Sequence, residues 1–189
     1  MTSGWGRRAA FIDRDGVINE ERNYVSQIED FHLIPGAVEG LAQLSDAGFS
    51  LVVITNQSGI GRGLYSEADF DYLTEHMRHE LARQGIEIAG VYYCPHHPKA
   101  GLGHYRVECN CRKPQPGMLL DAARELGLSL ADSVLVGDKT SDIEAGRRAG
   151  LRRCVLVESG HALSAAERAT ADACVVDLQA AGRWLTSHG

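Results

Sequence analysis

The chain has 189 residues, 44% of them hydrophobic and 23% charged, with a formal net charge of −6. This is enough for one domain over residues 1–189 with a sizeable core, in the composition range of soluble globular proteins. The acidic balance, without any basic stripe, excludes a nucleic-acid binder dominated by phosphate contacts but not a small anionic substrate, which needs only a few local donors.

The opening stretch, 1–8, lacks the apolar core of a secretory signal, and no apolar run approaches a membrane span. A cytoplasmic protein without membrane contact is expected. The first apolar run, 9–13, ends in Asp13, Arg14, Asp15 and Gly16. A run that short and apolar reads as a buried strand of a parallel sheet, whose carboxyl end is where open α/β sheets bind ligands. Residues two apart in extended backbone point the same way, so Asp13 and Asp15 are expected to face one substrate. Together they suit chemistry that needs a nucleophilic carboxylate and a proton-handling one.

A helix over 38–47 closes at Gly48, and a second strand, 50–55, leads into Thr55, Asn56, Gln57, Ser58 and the glycine-rich stretch 59–63. Taken alone that stretch is a polar turn; past a strand end it can also wrap a phosphate. A helix over 67–84 follows, with Ser66 as N-cap, acids in its first turn and Gly85 at its close. After a strand at 90–93 the rhythm breaks, and resumes with helix Gly117–Leu126 closed by Gly127. Strand 133–136 delivers Gly137, Asp138 and Lys139, and a helix over 142–149 ends at Gly150. Asp142 is expected to N-cap that helix. Asp138, directly at the strand end, suits joining Asp13 around a hard cation such as magnesium. Strands at 154–157 and 173–176, with two helices after Ser164, complete a β-α alternation that predicts a doubly wound, three-layer α/β fold.

The interrupted segment carries most of the cysteine. Cys94, Cys109 and Cys111, with His96 or His97, supply a closed tetrahedral set that suits structural zinc. A Cys109–Cys111 disulfide would be strained. The zinc loop, 94–111, would pin the chain that delivers Arg112 and Lys113. Cys154 and Cys174 read as core residues.

Asp13-Arg14-Asp15-Gly16, Thr55-Asn56, Lys113-Pro114 and Gly137-Asp138 with Asp142 resemble, in order and spacing, the four motifs of the haloacid dehalogenase superfamily. That resemblance implies phosphoryl transfer through an aspartyl-phosphate on a Rossmann-like parallel sheet. It makes Asp13 the nucleophile, Asp15 the acid and base, and Thr55 and Lys113 the neutralisers of phosphoryl charge. It also implies magnesium held by the Asp13 carboxylate, the Asp15 carbonyl and Asp138. Neither 19–48 nor the segment after Tyr93 is long enough for a globular cap. A minimal cap and an open site follow, with Glu21, Arg22, Asn23 and Tyr24 contacting substrate on one side and Arg112 on the other.

Cys94-Pro95-His96-His97-Pro98 and Cys109-Asn110-Cys111-Arg112-Lys113-Pro114 are similar to a narrower branch, that of the histidinol-phosphate phosphatases and the D-glycero-D-manno-heptose 1,7-bisphosphate 7-phosphatases. The long loop resembles the latter more, and the resemblance favours His96 over His97 as zinc ligand. It implies a magnesium-dependent, zinc-stabilised, monomeric phosphatase that takes the 7-phosphate from a heptose bisphosphate, the β anomer favoured, for the lipopolysaccharide core. Asn56, Gln57 and Ser58 would contact substrate, while Arg112, Lys139 and Arg22 would suit its second phosphate. The alternatives are histidinol phosphate as substrate, or a non-catalytic zinc-loop module that binds phosphorylated ligands.

Overall fold

A computed structural model describes residues 6–188. Residues 1–5 and 189, and with them most of the stretch read for a secretory signal, lie outside the described residues. The elements run β1 (Ala9–Ile12), α1 (Ala37–Asp46), β2 (Ser50–Asn56), α2 (Ser58–Gly61), α3 (Glu67–Ala82), β3 (Ile88–Cys94), α4 (Gly117–Leu126), β4 (Val134–Gly137), α5 (Thr140–Ala149), β5 (Arg153–Val157), α6 (Ala165–Arg168), β6 (Ala173–Val175) and α7 (Leu178–His188). The six strands form one parallel sheet in the order β3-β2-β1-β4-β5-β6.

Alternation along β1 explains the layering. Ala10 and Ile12 join a core with Leu41 and Leu44 of α1, Met77 of α3 and Leu185 of α7. Ala9 and Phe11 point the other way, into a core with Met118 and Leu119 of α4 and Ile143 of α5. A strand buried on both faces cannot alternate polar and apolar residues, which is why it reads as a continuous apolar run. The three-layer doubly wound fold is therefore as expected, and β1 lies at its centre.

Three local expectations are corrected. First, β1 ends at Ile12, so the period-two argument does not apply to Asp13 and Asp15. The chain instead turns, with Arg14 O accepting the N–H groups of Ile18 and Asn19 and Gly16 at φ 83°. Second, the stretch after β2 closes into the short α2 instead of remaining an open turn. Third, Asp142 is not the N-cap of α5. Lys139 holds that position, and Asp142 Oδ2 accepts its N–H at 3.0 Å from the first helical turn. The Ser66 expectation holds: its hydroxyl accepts the Asp69 N–H, and Asp69 reaches back to Ser66.

Candidate active site

The strand order reverses at β1, which has β2 on one side and β4 on the other, and ligands of open α/β sheets bind in the crevice at such a point. The Asp13 N–H donates to Val136 O at 3.0 Å, which fixes Asp13 over the end of β4. Thr55 lies at the end of β2, and Asp138 follows β4 directly. Lys113 enters from the cysteine loop. Its Nζ lies 3.0 Å from Asp13 Oδ1 and 2.6 Å from Asp142 Oδ1, and donates to Ile54 O at 3.1 Å. The Asn56 side chain pins the Lys113 backbone in both directions, accepting its N–H at 3.0 Å and donating to its carbonyl at 3.1 Å.

Burial raises the Asp13 carboxyl well above the usual range; Lys113 opposes this, and Asp142, Asp138 and Asp15 add to it. Burial works against the Lys113 ammonium, but Asp13 and Asp142 more than reverse it, so the lysine stays charged. Asp13 is thus crowded by three other carboxylates, and one buried cation, Lys113, opposes them.

Carboxylate oxygens of Asp13, Asp138 and Asp142 lie within 4.8 Å of one another. Asp138 is fully buried, and its Oδ1 has no hydrogen-bond partner. Burial, reinforced by Asp142, pushes its carboxyl up to about 6. An orphaned buried carboxylate oxygen among like charges suits a hard, oxygen-binding cation. The glycines around it leave no slack: a Cβ on Gly16 would meet Asp138 Oδ2 at 2.6 Å, and one on Gly160 would meet it at 2.1 Å. Gly160→Ala is therefore expected to displace Asp138 and raise the magnesium concentration for half-maximal activity by about tenfold, one cation contact being worth roughly 1–2 kcal/mol. A magnesium titration of turnover checks this.

Above these groups opens a cleft of about 650 Å³ lined by Asp13, Asp15, Thr55 and Lys113. Glu21, Asn23 and Tyr24 line one side, with Asn23 and Tyr24 both at positive φ, 55° and 67°. Two consecutive non-glycine residues in that region are costly backbone, of the kind concentrated at ligand sites. Ser58, Arg112 and Lys139 also line the cleft. Arg22 does not: it is exposed and paired with Glu20 at 2.7 Å. Arg22 stands outside the lining, and Arg22→Ala should leave kcat and KM within about twofold of the parent, as exposed pairs contribute little. Steady-state kinetics test it. Asn56 and Gln57 line the cleft too, but their amides are engaged by Lys113, and by Asp15 and Thr55, respectively.

Some participants were missed from the sequence. Arg14 is almost fully buried and grips Asp15 with Nε at 3.1 Å and Nη2 at 2.9 Å from Oδ1. Arg62 lines the cleft and stacks over the Tyr24 ring at 5.8 Å. A charged residue between two acidic site residues was the signal for Arg14. Arg62 had only its place in the glycine-rich stretch.

The expected zinc ligands meet. Cys94 Sγ lies 3.5 Å from Cys109 Sγ and 2.9 Å from Cys111 Sγ, and His96 Nδ1 is 3.7 Å from Cys94 and 3.4 Å from Cys111. Hydrogen bonding with Cys94, then Cys109 and His96, pulls the Cys111 thiol down to about 5 against burial. Three thiols and one imidazole at such distances match a tetrahedral thiophilic site. His97 is excluded from it, because its Nδ1 accepts the N–H groups of Lys99 and Ala100 at 3.2 and 2.9 Å. Of the remaining cysteines, Cys154 is buried in the core as expected and Cys174 is only partly buried.

The HAD-hydrolase-like family model matches residues 110–181. A D-glycero-beta-D-manno-heptose-1,7-bisphosphate 7-phosphatase of Photorhabdus laumondii is 48% identical over 155 residues, 82% of this chain and 82% of that protein. A D-glycero-alpha-D-manno-heptose-1,7-bisphosphate 7-phosphatase of the same organism is 45% identical over 157 residues, 83% of this chain and 86% of that one. Among solved structures, the D,D-heptose 1,7-bisphosphate phosphatase of B. bronchiseptica, complexed with magnesium and phosphate, superposes with a TM-score of 0.81. It is 32% identical, and the match covers 96% of this chain and 99% of that one.

Proposed function

The chain belongs to the heptose-1,7-bisphosphate phosphatases of the HAD-like hydrolases, and on that premise we propose that it hydrolyses the 7-phosphate of D-glycero-D-manno-heptose 1,7-bisphosphate, the β anomer favoured, toward the nucleotide-activated heptose of the lipopolysaccharide core. The observation that carries the chemistry is the buried Asp13–Lys113 pair at the strand-order reversal, on the wall of a cleft that Asp15 also lines.

The Asp13 carboxylate attacks phosphorus in line, and the bond from phosphorus to the sugar oxygen breaks as Asp15 gives that oxygen a proton. Asp15 then takes a proton from the water that attacks the aspartyl-phosphate, which returns Asp13. The Lys113 ammonium and Thr55 hydroxyl neutralise charge on the equatorial oxygens, where positioning and electrostatics provide most of the catalysis. Magnesium, held by the Asp13 and Asp138 carboxylates and the Asp15 carbonyl, supplies further charge neutralisation when bound. Cys94, His96, Cys109 and Cys111 would hold zinc with all four ligands from the protein, in a structural role. Arg112 and Lys139, on the cleft wall, supply cations for the second phosphate.

Phosphate release with magnesium, from both heptose bisphosphate anomers and from histidinol phosphate, tests the reading. Preference for a heptose anomer, lost in Asp13→Asn, supports it. Preference for histidinol phosphate keeps the chemistry and overturns the substrate.

A further inference from the structure

Gln57 holds Asp15 and Thr55 together. Its Nε2 donates to Asp15 Oδ2 at 2.9 Å and to Thr55 Oγ1 at 2.7 Å, so both amide hydrogens are engaged. Its Oε1 accepts from the Tyr65 hydroxyl. Gln57 is 3% exposed and Tyr65 8%, so water does not compete readily for these bonds. Burial also keeps the Tyr65 phenol above its ordinary range, and it remains a donor. A reversed amide would set Oε1 against the Asp15 carboxylate and Nε2 against a hydroxyl that has its own hydrogen to place. The acceptor-only Asp15 carboxylate therefore sets which way the amide faces, and the Tyr65 hydroxyl, donating to Oε1, holds it there.

The other contacts of Asp15 do not duplicate this one. Oδ1 takes Arg14 Nε and Nη2 and the Asn19 amide at 3.0 Å, while Oδ2 takes Gln57 and one longer contact from Arg14 at 3.0 Å. Arg14 and Asn19 secure Oδ1, and Gln57 shares Oδ2 with Arg14, making the shorter of its two bonds. The local chain is built to admit the tyrosine: a Cβ on Gly59 would lie 2.2 Å from the Tyr65 ring, so only glycine at that point of α2 lets the ring reach Gln57.

We infer that Tyr65 is a positioning residue for the proton-transferring Asp15, acting through a Gln57 amide that aims Asp15 and Thr55 as one unit. This rests on the proposed role of Asp15 as acid to the departing oxygen. Both amide hydrogens of Gln57 are committed to Asp15 and Thr55, so its side chain has no donor to offer a substrate.

Leaving-group dependence separates positioning from general structural damage. A sugar alkoxide must be protonated as it departs, whereas p-nitrophenolate departs readily without a proton. The quantity to read is kcat/KM, which covers the steps through leaving-group departure, for the heptose bisphosphate and for p-nitrophenyl phosphate. Tyr65→Phe is expected to lower the first about tenfold, the scale of one buried hydrogen bond, and the second by less than about twofold. Gln57→Met, close in shape, should show the same bias on top of a loss common to both substrates, because Thr55 loses its bond too. Equal losses on both substrates, or no loss on either, in both variants would overturn the inference. Asp15→Asn is the benchmark. If it too loses equally on both substrates, the assignment of Asp15 is what fails. If it shows the bias and the Tyr65 and Gln57 variants do not, the relay alone fails.

Discussion

Asp13→Asn is expected to abolish phosphate release, by about 10⁵-fold or more, the scale seen when a catalytic nucleophile is removed. The amide has the shape of the carboxylate and neither its charge nor its nucleophilicity, so no aspartyl-phosphate forms. The fold should not suffer. Lys113 keeps its bond to Asp142 at 2.6 Å and its bond to Ile54 O, so the buried ammonium is not left unpaired. One negative charge leaves a group in which Asp138 and Asp142 already raise Asp13. The thermal midpoint of the magnesium-free variant should therefore equal or exceed that of the parent. Phosphate release and a melting curve on the same preparation check both halves. Residual turnover above about 1% of the parent would remove Asp13 as nucleophile.

Removal of the zinc proposed on the cysteine cluster is expected to have the second large effect. Cys111 is followed directly by Arg112 and Lys113, so the proposed ligand and the proposed catalytic lysine share one short stretch of backbone. The loop is also stitched to α2, with the Gly61 N–H donating to Pro95 O at 3.1 Å and the Leu102 N–H to Gly61 O at 2.7 Å. Freed of metal, the cysteines keep only weak S–H···S contacts, and most of the loop is exposed, with little packing to replace the ligand bonds. Strong chelation, or Cys111→Ser, should lower stability by about 3 kcal/mol, the order of a lost cross-link, and the midpoint by roughly 6–12 °C for a chain of this size. Turnover should fall by about 100-fold as Lys113 leaves Asp13, a misplacement of about an ångström being enough. Zinc should restore the chelated parent and not the variant. Full activity in protein shown by metal analysis to be zinc-free would mean that the loop holds Lys113 unaided.

Much of this was legible in the chain. Strand runs such as 50–55 and helix stops such as Gly127 and Gly150 are set by backbone preferences within a few residues, and the structure repeats them. The Cys94, Cys109 and Cys111 spacing and the acids at two strand ends named their partners, because each motif is compact in sequence. Asp13 and Asp15 do line one cleft as expected, although β1 stops at Ile12 and the chain bends at Arg14 between them.

Other assignments needed the folded molecule. His96 and His97 are adjacent, and what separates them is that His96 Nδ1 lies beside the Cys94 and Cys111 sulfurs while His97 Nδ1 accepts the Lys99 and Ala100 N–H groups. Asp142 has the sequence position of a cap and the burial of an ion-pair partner, because Lys113 arrives beside it from another element. Arg22 pairs with Glu20 outside the cleft lining, and the Gln57 amide is engaged by Asp15, Thr55 and Tyr65. The sequence by itself determined the elements, their order and the residue types at the sheet edge, since these follow from short-range backbone geometry. Which atom of each side chain remains free for substrate was decided by the tertiary structure alone, because a buried polar group takes the partner that packing brings within hydrogen-bond reach.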